Sequence, residues 1–310
     1  MPVEAYLILY CIVILLASLA GGAVPMIVRL THKRMQVAIS LVAGFMLGVG
    51  LLHLLPDAIE NLSVRHAVPW LLVGLLTMFF IERFFCFHHH DAPGEADDGA
   101  HEHDDETVNT GSVLAQESRA HHVHKLTWSG AAVGLVLHSM IAGVALAAKL
   151  KSDTADDIAA WPGVAVFIGI VLHKPFDSMT LLTLMSAGTW SIRARHLVNA
   201  IFALAVPMGA VLFFLGTSVM GDTWFLGVVL AFSTGVFLCV SLSDLLPELH
   251  FHTHDRIKLS VALLLGLALS WMVGLGHAHE HEHGNAHKHD ALPHVQHDHD
   301  EEPAPITSAD

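Results

Sequence analysis

Three side chains of this sequence have the chemistry and spacing of a metal site: His138, His173 and Asp177. Each lies within a long apolar stretch. An ionisable group inside a membrane span costs about 2.5–3.5 kcal/mol on insertion, so each one asks for a function. From Leu126, where one apolar stretch begins, His138 is twelve residues along, roughly 18 Å at 1.5 Å per residue. From Ala160, where the next begins, His173 is thirteen residues along. Consecutive spans run in opposite directions, so the two imidazoles reach one depth from opposite faces. Asp177 lies four residues after His173, one helical turn on and on the same face. A lone intramembrane histidine is satisfied by a hydrogen bond to a neighbouring helix. Two at matched depth with a carboxylate point instead to ligation of a borderline divalent cation, zinc ahead of calcium or magnesium.

Lys174 and Ser139 stand beside this set. An ammonium next to a cation site repels metal unless it fills a second subsite as a fixed charge and pairs with Asp177; the alternative is a plain salt bridge inside the helix. Pro175 removes a backbone hydrogen bond one turn back and can kink the helix there. Two further pairs have i, i+4 spacing, His53 with Asp57 and Asp244 with Glu248. They read either as way stations for a cation at the two mouths of a path or as polar caps at the membrane interface.

Seventeen of the 26 histidines fall in two polar stretches. Residues 88–125 contain His88-His89-His90, His101-Glu102-His103 and His121-His122-Val123-His124, and residues 276–310 begin with His277-Ala278-His279-Glu280-His281-Glu282-His283. With acids and glycine but no apolar periodicity, both are expected to be disordered and able to hold zinc loosely. His279 to His283 also spells H-E-x-x-H, but alternating low-complexity sequence produces that match without a helix to set its geometry.

The elements that must position these residues follow from composition. The 310 residues are 53% hydrophobic and 14% charged, beyond what a soluble domain carries. Eight stretches approach or exceed the length of about 20 apolar residues needed to cross a bilayer: 5–29, 36–58, 68–87, 126–149, 160–186, 197–220, 224–248 and 257–275. Runs such as Leu-Leu-Val-Gly-Leu-Leu do not alternate as barrel strands would. The expected fold is an all-α membrane protein of eight transmembrane helices. Residues 1–87 carry helices one to three, 88–125 a cytoplasmic loop, 126–275 helices four to eight, and 276–310 an extracytoplasmic tail. The first stretch lacks a positive start and is too long for a signal peptide.

With the N-terminus outside, inside segments hold ten Lys and Arg residues and outside segments four (Arg65, Lys149, Lys151 and Lys288), a bias that Lys149 and Lys151 run against and from which both termini are expected to be extracytoplasmic. A net charge of −14 gathered in polar stretches excludes nucleic-acid binding. Cys11, Cys86 and Cys239 form no pair and read as small core residues.

Helix two ends Gly44-Phe-Met-Leu-Gly-Val-Gly-Leu-Leu-His-Leu-Leu-Pro-Asp57 and helix seven reads Gly235-Val-Phe-Leu-Cys-Val-Ser-Leu-Ser-Asp-Leu-Leu-Pro-Glu248. Each has a polar residue, Leu-Leu-Pro and an acid, and the two helices run oppositely. That suggests an inverted repeat of helices 1–3 and 6–8 around helices 4 and 5, as in secondary transporters.

These motifs resemble the ZIP, or Zrt/Irt-like, family of divalent metal transporters over nearly the whole chain. The likeness rests on eight spans with outward termini, a His-rich loop after helix three, His138-Ser139-Met140-Ile141-Ala142-Gly143, His173-Lys174-Pro175-Phe176-Asp177 and the Leu-Leu-Pro-acid endings. It implies transport of zinc, with Fe2+, Mn2+ and Cd2+ as further substrates, toward the cytoplasm and without an organic cofactor. Two positions depart from the family pattern. Ala142 stands where the family commonly has a bridging acid, and Lys174 where many members have a second-metal ligand. One principal metal site is expected, with Lys174 replacing the second cation. The competing readings are a metal-sensing or non-transporting homologue and an exporter with a His-rich loop. An intramembrane metalloprotease needs H-E-x-x-H within a span, and no span contains it, so an enzyme is not expected. A bacterial inner membrane is the expected location, with the lipid bilayer and a second copy of the chain, in a homodimer, as partners.

Overall fold

The computed structural model describes the backbone of residues 2–27, 32–85, 110–155, 161–188, 190–220, 222–251 and 256–284. It describes their side chains apart from those of 24–27, 32, 85, 110–128, 187, 220, 222, 244–251, 256 and 276–284. Among these residues the chain is helical without strands, and eight helices are long and apolar enough to cross a membrane. They are α1 (Val3–Ile27), α2 (His32–Gly48, continuing through Val49–Leu54 and Leu55–Leu62), α3 (Val64–Phe85) and α4 (Thr110–Ala155). They continue as α5 (Val164–Ala187), α6 (Ile192–Ala203 and Ala205–Met220), α7 (Asp222–Phe251) and α8 (Arg256–Gly284). The eight expected stretches each coincide with one of these helices, with ends that differ by a few residues except at the start of α4 and the end of α8.

Two helices run well past their expected ends. α4 starts at Thr110 rather than near Leu126, so 110–125 continue as helix instead of belonging to an irregular loop. Ala, Leu, Gln, Glu and Arg in Val113–Ala120 are strong helix formers, and their propensity outweighs the lack of apolar periodicity. α8 likewise runs on to Gly284, into the expected tail. Residues 86–109 and 285–310, with most of the His-rich sequence, lie outside the described residues.

Prolines modulate the interior helices. Pro56 offers no amide to the carbonyl of Leu52, and just before it α2 widens into π geometry over Val49–Leu54, where the Leu55 amide donates to the Gly50 carbonyl. Pro207 likewise frees the Ala203 carbonyl, and α6 is interrupted at Leu204. α5 runs uninterrupted through Pro175.

Glycines set how closely the helices approach. Any side chain at Gly143 would strike the Val206 carbonyl and any at Gly209 the Met140 carbonyl, so α4 and α6 meet backbone to backbone. Gly44 and Gly266 do the same for α2 with α8, and Gly74 and Gly235 for α3 with α7. In lipid, where helix association draws on packing rather than on the hydrophobic effect, such small-residue contacts hold helices together. These three pairs, with α1 against α5, are the most extensive helix contacts. α2, α4 and α7 bury most of their span, whereas α1, α3 and α8 present much of theirs outward.

Candidate metal centre

α4 and α5 bring the three expected ligands together. The donor atoms of His138, His173 and Asp177 all lie within 4.8 Å of one another, and the two imidazole centroids are 5.4 Å apart. Both histidines are buried, at 3% and 6% exposure. His173 Nε2 lies 3.8 Å from Asp177 Oδ2, as one turn of α5 requires. Ligands about 2.0–2.2 Å from a zinc ion stand roughly 3.5 Å apart in a tetrahedron. Side-chain adjustments of about 1 Å would close this set on a cation.

Hydrogen bonding prepares the set for that role. A carbonyl oxygen can only accept, so His173 Nδ1 donates to the Gly169 carbonyl at 2.7 Å and carries the ring hydrogen. His173 Nε2 is left with its lone pair directed at the site, the carbonyl-oriented arrangement typical of ligating imidazoles. Both ring nitrogens of His138, His173 Nε2 and Asp177 Oδ2 are buried without a hydrogen-bond partner. An unpartnered buried polar atom costs about 1–3 kcal/mol, so four in one place are a charge and dipole arrangement shaped for something else.

Ser139 and Lys174 also meet, in a way the sequence reading did not foresee. Lys174 is fully buried; its Nζ donates to Ser139 Oγ at 2.6 Å and sits 3.6 Å from the centroid of the Phe202 ring on α6. Among the described residues it makes no ion pair with Asp177. The long stem reaches a hydroxyl on α4 and an aromatic face on α6, both outside its own helix, and the aromatic face attracts the ammonium. Spacing along one helix could not expose either partner. Ala142, 1% exposed, offers no ligand.

Toward the other end of α4, Lys149 Nζ donates to Asp57 Oδ2 on α2 at 2.6 Å and pairs with Asp153 Oδ1 at 2.7 Å. Asp153 Oδ2 in turn accepts from the Gly163 amide at 2.7 Å, at the start of α5. His53 Nε2 donates to the Ser270 carbonyl of α8 at 2.9 Å. The two side chains contact different helices, α8 for His53 and α4 for Asp57, and the π turn of α2 ends between them in sequence. Asp244 and Glu248 fall on α7, and their side chains lie outside the described residues. Glu82 on α3, which the sequence reading passed over, accepts from Ser243 Oγ at 3.2 Å and Cys239 Sγ at 3.9 Å on α7.

Comparison with known proteins gives these residues a family. Zinc transporter ZIP9 of Micropogonias undulatus is 28% identical over 289 residues, covering 78% of this chain and 84% of its own. Zinc transporter ZIP4 of Rattus norvegicus is 25% identical over 269 residues, 71% of this chain and 39% of its own. Zinc transporter 3 of Arabidopsis thaliana is 24% identical over 226 residues, 66% of this chain and 61% of its own. The family model described as ZIP Zinc transporter matches residues 4–276, nearly all of the helical part, and the chain belongs to that family.

Proposed function

We propose that the chain carries a divalent transition metal, zinc first, across the membrane toward the cytoplasm, with His138, His173 and Asp177 as the midmembrane ligands. The observation that carries this reading is the four unpartnered polar atoms of those residues, buried at one point between α4 and α5. Three protein ligands leave a coordination position open, which suits a cargo that must arrive and leave. The donor set also accommodates Fe2+, Mn2+ and Cd2+, because imidazole and carboxylate discriminate weakly among these ions. The family of zinc transporters and the relatives named zinc transporters support zinc as the substrate. The activity is transport rather than catalysis.

Lys174 acts here as a built-in charge in place of a second cation. Its ammonium rests between Ser139 and Phe202, beside a position where Ala142 supplies nothing to hold a metal. One metal per chain follows.

Both termini are extracytoplasmic, a topology supported by ten inside against four outside basic residues. The inverted repeat draws support from the packing. Exchanging α1 with α6, α2 with α7, α3 with α8 and α4 with α5 turns the α2–α8 pair into α7–α3 and the α1–α5 pair into α6–α4, all four of which occur. Flux measured in proteoliposomes across a panel of metals tests the proposal. Saturable zinc movement supports it, and metal binding without movement would make the chain a sensor instead.

A further inference from the structure

We infer that Lys149 is the gate at the extracytoplasmic mouth: its ion pair with Asp57 closes that end of the path and must part before a cation can reach His138, His173 and Asp177. The inference rests on the transport reading and topology above and adds to them the residue that controls access.

Position is the first argument. Lys149 follows His138 by eleven residues on one uninterrupted helix. At about 100° and 1.5 Å per residue that is three turns and roughly 16 Å, with only some 20° of rotation between the two side chains. Lys149 therefore stands on the face of α4 that carries the metal ligand, displaced toward the outside. Between them on this face lie Ala142 and Ala145, small residues that are buried in the apolar core in the present arrangement of the helices. A cation approaching along this face meets Lys149 first, and a positive charge is the barrier it has to displace.

The bonding is the second argument, because the two partners of Lys149 differ in kind. Asp153 is four residues along the same helix, so its 2.7 Å contact travels with Lys149 however α4 moves. Asp57 belongs to α2, so the 2.6 Å contact with it holds only while the two helices keep their present spacing. Parting α2 from α4 thus leaves the ammonium neutralised by Asp153 instead of bare in a buried setting, where an unpaired charge would be heavily penalised. One contact is a tether and the other a latch. Asp153 is itself held by the Gly163 amide, a glycine with φ +70° at the start of α5, so the tether is anchored to the helix that carries His173 and Asp177.

The third argument is burial. The side chains of Lys149, Asp57 and Asp153 are 10%, 19% and 11% exposed, unlike a solvated surface pair that contributes little and opens freely. Asp57 also lies just beyond the π turn of α2, a break in regular geometry of the kind that recurs at functional positions in helices.

The test reads access rather than transport. In a background with Cys11, Cys86 and Cys239 replaced by Ser, an Ala145→Cys reporter is placed between the latch and the metal ligands, in full-length protein in sealed proteoliposomes. A membrane-impermeant thiol reagent is then added from the side of the termini. With the latch intact the reporter is expected to react slowly. Asp57→Asn, which leaves Lys149 paired with Asp153, and Lys149→Met are each expected to speed labelling by about tenfold or more, as a minor open state becomes a major one. The exchange Asp57→Lys with Lys149→Asp rebuilds the pair and should return labelling to the slow rate. Fast labelling of the parent, equal slow rates in both single variants, or an exchange variant as fast as either one overturns the gate. Should Lys149→Met fail to fold, Asp57→Asn and the exchange decide the matter between them. Zinc flux through the reporter-free parent is measured alongside, so a failure of the gate and a failure of the transport reading are told apart.

Discussion

Replacing Asp177 with Asn removes one negative charge from the metal centre and almost nothing else. The carboxamide has the shape of the carboxylate, and Asp177 Oδ2 accepts no hydrogen bond in the structure, its nearest described ligand neighbour being His173 Nε2 at 3.8 Å. No protein hydrogen bond to that oxygen, each contributing about 0.5–1.5 kcal/mol, is there to be lost. Stability in detergent should accordingly change by less than about 1 kcal/mol. Zinc affinity should respond far more. Groups that merely orient a metal ligand change affinity roughly 10–100-fold when removed, and a direct anionic ligand stands above that range. The expected loss is at least about 100-fold, or ~2.8 kcal/mol. Titration calorimetry on purified protein reads the affinity, thermal unfolding reads the stability, and indicator-loaded proteoliposomes read the flux. A variant that binds zinc with the parent's affinity and carries it with unchanged KM would refute the assignment of Asp177.

Other consequences can be measured in the same preparations. Metal counting on purified protein should give one zinc per parent chain, and two when Lys174→Glu is combined with Ala142→Asp, since two carboxylates then replace an ammonium and a methyl. Lys174→Met alone should leave one zinc bound, because the ammonium contacts Ser139 and Phe202 rather than a ligand. Gly143→Leu should cost about 1–3 kcal/mol or more in detergent unfolding, because no side chain fits against the Val206 carbonyl without separating α4 from α6. Deleting residues 277–300 should leave the maximal zinc flux intact and move only the apparent affinity, because His138, His173 and Asp177 all remain in the shortened chain.

What the sequence made legible is what repeats along a single helix or follows from depth. Eight apolar stretches became eight helices, because length and composition alone decide which segments can cross a bilayer. His138 and His173 could be matched because each is measured from its own end of a span of fixed rise, and Asp177 followed from the i, i+4 rule. Contacts between helices lay beyond such rules. Lys174 was expected to pair with Asp177, its helical neighbour, but it reaches Ser139 on α4 and Phe202 on α6. Lys149 counted only as an exception to the topology bias, and its partner Asp57 lies 92 positions away in the chain. The π turn in α2 was not read from the sequence; Pro56 was the visible signal for it, through the amide that it lacks. Regular periodicity over-read polarity as well, since helix formers carried α4 back to Thr110 through sequence without an apolar face.

Zinc uptake into proteoliposomes containing the purified chain and an internal fluorescent indicator, compared with the same vesicles carrying His173→Ala, tests the central claim most directly. The account predicts saturable uptake by the parent and none above the leak of protein-free vesicles for the variant, because a cation at that depth has no other imidazole on α5 to bind. Uptake by the variant equal to that of the parent, or a parent that binds zinc and moves none, would contradict it.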